Sequence, residues 1–201
     1  EAIRSQDYAR ARKLLESVGR RFPENSEVFF ELGFTLDKQN LHEEAVRAFR
    51  QAVQFKPDFI DAWYGLGFEL RQQGKTEEAV AAYQQVVKLK PDFTDAWQNL
   101  GVSLGNLGRM EESVDAFSKA IKLRPDHAIS WYGLGNVLGK QKQTGGEAIA
   151  AYRQAIRLKP DFTDAWQNLG VSLGDQGRME EAIEAFLQAI KLKPDHEAAW
   201  F

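Results

Sequence analysis

Three features of the chain carry residue types that do chemistry in other settings. Gly74-Lys75-Thr76 looks like the end of a phosphate-binding loop. That loop needs a further glycine five positions before its second one, and Glu69 stands there. Gly65-Leu66-Gly67 and Gly133-Leu134-Gly135 open like a dinucleotide fingerprint, but Leu70 and Leu138 occupy the place of its last glycine. The histidines are His42, His127 and His196. His127 and His196 fall in equivalent turns two units apart in the lattice described below. At about 8–10 Å per packed helix they lie about 20 Å apart, too far to share a metal. His42 stands beside Glu43 and Glu44, and adjacent positions on a helix do not converge. With no cysteine, thiolate metal sites and disulfides are excluded. These patterns predict no catalytic residues, no metal site and no cofactor.

The elements that would hold such residues are periodic. The five tryptophans, Trp63, Trp97, Trp131, Trp166 and Trp200, are spaced 34, 34, 35 and 34 residues apart, and Phe29 extends the series by one step. The six prolines, Pro23, Pro57, Pro91, Pro125, Pro160 and Pro194, follow the same lattice. LKPDFTDAWQNLGVSLG occurs without change at 89–105 and 158–174. A lattice of this period signals stacked helix pairs.

Each unit opens with an aromatic, then Leu and Gly, as in Trp63-x-x-Leu66-Gly67. A small residue follows with an aromatic four later: Ala45/Phe49, Ala79/Tyr83, Ser113/Phe117, Ala148/Tyr152 and Ala182/Phe186. Both segments show helical spacing of apolar positions. Gly74 suits a left-handed turn between them, and proline ends the second helix. The pairs Asp58/Asp61, Asp92/Asp95 and Asp161/Asp164 are placed to cap the next helix and complement its dipole.

The pattern resembles the tetratricopeptide repeat, W-x2-L-G-x2-Y, then A-x3-F, then P. The Tyr position is Leu throughout: Leu36, Leu70, Leu104, Leu138 and Leu173. The resemblance implies an all-α, right-handed α-solenoid of antiparallel helix pairs. Its expected divisions are a partial repeat at 1–25, full repeats at 26–59, 60–93, 94–127, 128–162 and 163–196, and the start of another at 197–201. The fourth unit carries one extra residue between Leu138 and Ala148, with Gly145-Gly146 where other units have Glu-Glu. That insertion reads as a tolerated loop or as a local change of pitch or contact. Verbatim recurrence of the long phrase reads as duplication of a two-repeat block.

In this family first helices line a concave wall where partners bind. Counting the residue three before Trp as position 1, the wall comprises positions 2, 5, 6, 9, 12 and 13. The candidate binding residues are therefore Phe30, Phe34, Tyr64 and Phe68, then Gln98, Asn99, Tyr132, Asn136, Gln167 and Asn168. The first four form an aromatic region, or pack against neighbouring helices. The amides both donate and accept, and so suit a peptide backbone, or are generic repeat residues. Similar asparagines line the superhelical arm of O-GlcNAc transferase. Gly105, Gly139 and Gly174, all at position 12, either keep a floor open or end each first helix early.

The implied function is a non-catalytic scaffold that binds a peptide or protein in its groove. Positions 2, 5 and 6 hold no Lys or Arg, so the chaperone C-terminal carboxylate is not the expected partner. A net charge of −3 gives no reason to expect nucleic acid, and no apolar run is long enough to span a bilayer. The opening residues read as if they begin inside a helix, which predicts a piece of a longer chain. The alternatives are a substrate-recruiting arm of a larger enzyme such as a glycosyltransferase, or end-to-end self-association through the start of a repeat at Trp200-Phe201. No motif assigns a compartment.

Overall fold

The computed structural model describes residues 2–141 and 145–193. The regular structure among them is helical: α1 (Ala2–Arg21), α2 (Ser26–Asp37), α3 (His42–Phe55), α4 (Ile60–Gln72), α5 (Thr76–Leu89), α6 (Thr94–Asn106), α7 (Met110–Leu123), α8 (Ala128–Gly139), α9 (Gly145–Leu158), α10 (Thr163–Asp175) and α11 (Met179–Leu192). They fall into two compact units, Glu1–Ala96 and Trp97–Phe201. In the first, α1 packs on α2, α2 on α3, α3 on α4 and α4 on α5. In the second, the same succession runs from α7 to α11. Within each unit these helices meet their neighbours in sequence, and first helices also touch one another, α2 with α4 and α8 with α10. This is the α-solenoid architecture, in which an amphipathic pair is stable only when stacked. Pro194, His196, Trp200, Phe201 and the residues 142–144 of the insertion lie outside the described residues.

Aromatic rings of the second helices key the stack together. A Cβ built on Gly33 would lie 2.8 Å from the Phe49 ring, and one on Gly65 would lie 2.9 Å from it. The ring therefore fills a slot between the bare backbones of α2 and α4. Phe117 sits in the same way between Gly101 of α6, at 3.0 Å, and Gly133 of α8, where the approach is closer still. Gly67 and Gly135 make room for Tyr83 and Tyr152. The glycine pairs that imitate a dinucleotide fingerprint are thus packing slots.

The shared lattice of tryptophan and proline has a direct cause. Trp63 Nε1 donates to the Pro57 carbonyl at 2.8 Å, and Trp131 and Trp166 bond Pro125 and Pro160 in the same way at 2.9 Å. Each indole bridges the turn that joins one pair to the next. Asp58/Asp61 and Asp161/Asp164 do not cap as the sequence predicts. The N-cap residues of α4 and α10 are Phe59 and Phe162, and neither makes a side-chain capping bond. Asp61, Asp95 and Asp164 lie in first turns, where their charge complements the helix dipole. A side-chain cap forms at α2, where Asn25 accepts from the Val28 amide. Left-handed turns fall at Gly74, Gly108 and Gly177, and at Asn40 with φ 57°.

The position-12 glycines do not shorten their helices. Gly105 and Gly174 lie one residue inside the ends of α6 and α10, and Gly139 is the last residue of α8. The helices without that glycine, α2 and α4, end at the same positions, Asp37 and Gln72.

Two glycine substitutions test the slot model. Gly133→Ala forces a methyl into the Phe117 ring and should destabilise the chain by about 1–3 kcal/mol. Gly174→Ala meets nothing within 4 Å. It should be neutral or stabilising by up to about 1 kcal/mol, from helix propensity. Urea unfolding of the two variants checks the contrast.

Candidate functional site

Unit 1 holds a cavity of about 360 Å³ lined by Phe30 and Phe34 of α2 and by Tyr64 and Phe68 of α4, with Phe49 behind them. Spacing of four residues puts each pair on one helix face. The four rings do different jobs. Phe30 lies 6.0 Å from Phe49 and 5.0 Å from Phe59, and Tyr64 lies 5.8 Å from Tyr83 and 5.0 Å from Phe93. Both are half-buried members of a three-ring cluster. Lys56 and Lys90 close these clusters, with ammonium groups 4.7 and 5.2 Å from the outer rings. Phe34 is 44% exposed, with Lys38 Nζ 4.8 Å above its ring. Arg71 lies 5.6 Å over Phe68. Phe34 is thus the exposed ring of the four, and Phe68 is half-buried beneath Arg71.

Unit 2 holds a second cavity, of about 380 Å³, whose lining includes Gly105, Asn136, Gly139, Asn168 and Ser172. Tyr132 packs between Tyr152 and Phe162 in tilted contacts, at 6.1 and 4.7 Å. The Tyr152 hydroxyl donates to Asn136 Oδ1 at 2.9 Å. Asn168 Nδ2 donates to the same oxygen at 2.9 Å and to the Tyr132 hydroxyl at 3.2 Å. Tyr132, Asn136 and Asn168 therefore meet in one network. Gln98 and Gln167 are half-buried and Asn99 is buried; these three do not line this cavity.

Two couplings in this geometry were written in the sequence. The aromatic at position 5 pairs with the Phe of the following Pro-Asp-Phe turn: Phe30 with Phe59, Tyr64 with Phe93 and Tyr132 with Phe162. Where position 5 is Gln98 or Gln167, the turn residue is His127 or His196. His127 Nδ1 instead lies 2.7 Å from the buried Ser130 hydroxyl. The second-helix aromatic also matches position 6 of the next unit. Phe49 and Phe117 face Gly65 and Gly133, whereas Tyr152 is followed by Asn168, as Tyr83 is by Asn99.

One cluster escapes sequence reasoning, which weighs His42 against its neighbours Glu43 and Glu44. The structure sets His42 Nδ1 2.9 Å from Oε2 of Glu69, and Asp37 lies beside them. Burial pushes the Glu69 carboxyl up from the usual carboxylate range, and Asp37 adds to this while the bond from His42 opposes it. The signal was available as three departures from the repeat pattern, since no other repeat has an acid at position 10.

Burial also pushes the Tyr83 phenol up to about 12, and the adjacent Arg71 offsets this only in part. The Tyr83 hydroxyl is buried without a hydrogen bond of good geometry. Tyr152 is raised as well, first by burial and then by Tyr132. Both phenols stay neutral in the folded chain at pH values where unfolded tyrosine ionises. Stability present below the ordinary value of 10 is therefore lost as pH rises through about 12. Tyr83→Phe should leave stability at pH 7 unchanged or raised and flatten this alkaline decline, because it removes an unpaired hydroxyl. Tyr152→Phe should cost about 1 kcal/mol at pH 7 through loss of the Asn136 bond. Denaturant titrations at pH 7 and pH 11 measure both.

Tetratricopeptide repeat profiles match residues 2–67, 94–127 and 132–197, and a TPR repeat profile matches 69–108. A comparison with curated protein sequences finds no match. Among solved structures, the chain is similar to YrrB, described as a TPR protein with an unusual peptide-binding site. The two are 20% identical with a TM-score of 0.77, over 92% of this chain and 95% of that one. MamA is 24% identical with a TM-score of 0.79, over 86% and 95%. MamA from Desulfovibrio magneticus RS-1 is 20% identical with a TM-score of 0.79, over 86% and 97%. At these identities the structures speak for the fold. With the repeat profiles, the recurring Trp-Leu-Gly and Pro positions, and the stacked helix pairs all in agreement, the chain is a member of the tetratricopeptide repeat family.

Proposed function

We propose that the chain is a protein-interaction scaffold that grips a peptide segment through the amide-lined cavity of unit 2, with the aromatic cavity of unit 1 as a separate apolar contact surface. The general role in protein interaction comes with the repeat fold. The finer reading is carried by the Asn136–Asn168 pair. The internal network engages Asn136 through its oxygen and Asn168 through its nitrogen. One NH2 group and one carbonyl oxygen are left beside a cavity. That is the complement of a single peptide unit, which presents one carbonyl and one N–H. Reversing both side-chain amides exchanges the two roles and still leaves one donor and one acceptor. Gly105 and Gly139 add no side chain to the floor of this cavity.

Such a grip reads backbone and tolerates many side chains. The YrrB structure is described as containing a peptide-binding site, which agrees with this kind of use of the fold. In unit 1, Phe34 and Phe68 supply apolar area for a side chain of the same partner or of another.

Selection from a random peptide display library, followed by fluorescence polarisation, tests the proposal. Asn136→Ala and Asn168→Ala should each weaken enriched peptides by at least about tenfold, which is 1.4 kcal/mol. Phe34→Ala with Phe68→Ala should weaken those that carry an apolar anchor. Circular dichroism confirms that the variants are folded. Full affinity in both folded asparagine variants would remove the assignment.

A further inference from the structure

Three departures from the repeat pattern converge in unit 1. Position 12 is Asp37 in the first full repeat but Arg71, Gly105, Gly139 and Gly174 in the others. Position 10 is Glu69 in the second but Thr35, Ser103, Val137 and Ser172 elsewhere. His42 opens α3 at the place taken by Thr76, Met110 and Met179 at the starts of α5, α7 and α11. Asp37 ends α2, His42 begins α3 across the left-handed turn at Asn40, and Glu69 comes from α4. Their ligand atoms lie within 4.8 Å of one another, with His42 Nδ1 and Glu69 Oε2 at 2.9 Å.

Glu69 is the member without a structural reason. Its side chain is 1% exposed, and Oε1 is buried with no hydrogen-bond partner among the described residues. Lys38 does not serve it, because Lys38 Nζ lies on Asp37 Oδ2 at 2.8 Å. A second carboxylate close by increases the cost of burying the first. Other repeats place a small or uncharged residue at position 10, so packing does not demand an acid there.

We propose that Asp37, His42 and Glu69 form a binding site for a divalent transition-metal cation of the zinc type. One imidazole nitrogen and two carboxylate oxygens are a donor set that suits zinc. Bonds of about 2.0–2.1 Å in a tetrahedron put ligand atoms about 3.3 Å apart. The observed separations, 2.9 Å for one pair and no more than 4.8 Å for the others, bracket this value. The cation neutralises both carboxylates and satisfies the buried Glu69 carboxylate. His42 is 40% exposed and gives access from solvent. Bound metal would tie α2, α3 and α4 together beside the aromatic cavity, which Asp37 and Glu69 also line. The inference does not depend on the peptide reading.

Isothermal titration of the chelator-stripped chain with zinc chloride at pH 7 tests this, with thermal melting followed by circular dichroism. One zinc per chain should bind at micromolar or tighter Kd and raise Tm by several degrees. His42→Gln and Glu69→Gln should each weaken binding at least tenfold, while the double variant His127→Gln/His196→Gln should not. If Glu69→Gln fails to fold, Asp37→Asn, at a partly exposed side chain, takes its place. Absence of one-to-one saturation, or affinity unchanged by His42→Gln and the acidic variant, overturns the site. In that case a proton shared between Asp37 and Glu69 satisfies the buried oxygen.

Discussion

The contact on which the structure depends is an aromatic ring held between two glycine backbones. Phe49 lies between Gly33 and Gly65, and Phe117 between Gly101 and Gly133. A methyl group on any of these glycines would overlap the ring. The slot sets how closely successive first helices approach, and those helices carry the residues of both cavities. Packed interiors tolerate little change of volume. The identity of one residue in each second helix therefore governs the spacing of the surface it lies behind. The indole-to-proline bonds act at the next joint, where one helix pair hands over to another.

This coupling explains why the inner surfaces alternate. Where the second-helix aromatic is Phe, as at 49 and 117, the next position 6 is glycine. Where it is Tyr, at 83 and 152, the next position 6 is asparagine; the Tyr152 hydroxyl donates to Asn136, which also accepts from Asn168, while the Tyr83 hydroxyl makes no such bond. The buried Tyr152 phenol is one reason why this cavity is polar. Under the proposed function, the same asparagines serve both packing and recognition. The same network that stabilises the stack also orients the two amides.

Much of this was legible in the chain. The lattice of tryptophans and prolines announces the stacked pairs. The glycines at 65, 67, 133 and 135 are identifiable as packing residues because they recur with the lattice. The left-handed turn at Gly74 follows from its place between two helical patterns. The candidate wall residues were nameable, but their division of labour was not. Phe30, Tyr64 and Tyr132 give much of their area to neighbouring rings, and Phe34 and Phe68 do not. The aspartates after each proline looked like caps, yet Phe59 and Phe162 occupy the cap positions of α4 and α10, since the turn is held by the indole instead.

The sequence by itself determined the fold family, the helix pairs and the residues that bring them close. Those follow from local propensity and from a period that repeats often enough to be unambiguous. Tertiary structure alone decided which polar groups meet. His42 meets Glu69 across 27 residues, with Asp37 beside them, and Asn136 reaches Asn168 across 32. A stacked solenoid brings residues from successive repeats side by side. Such encounters depend on helix spacing and side-chain rotamers, which no period in the chain records.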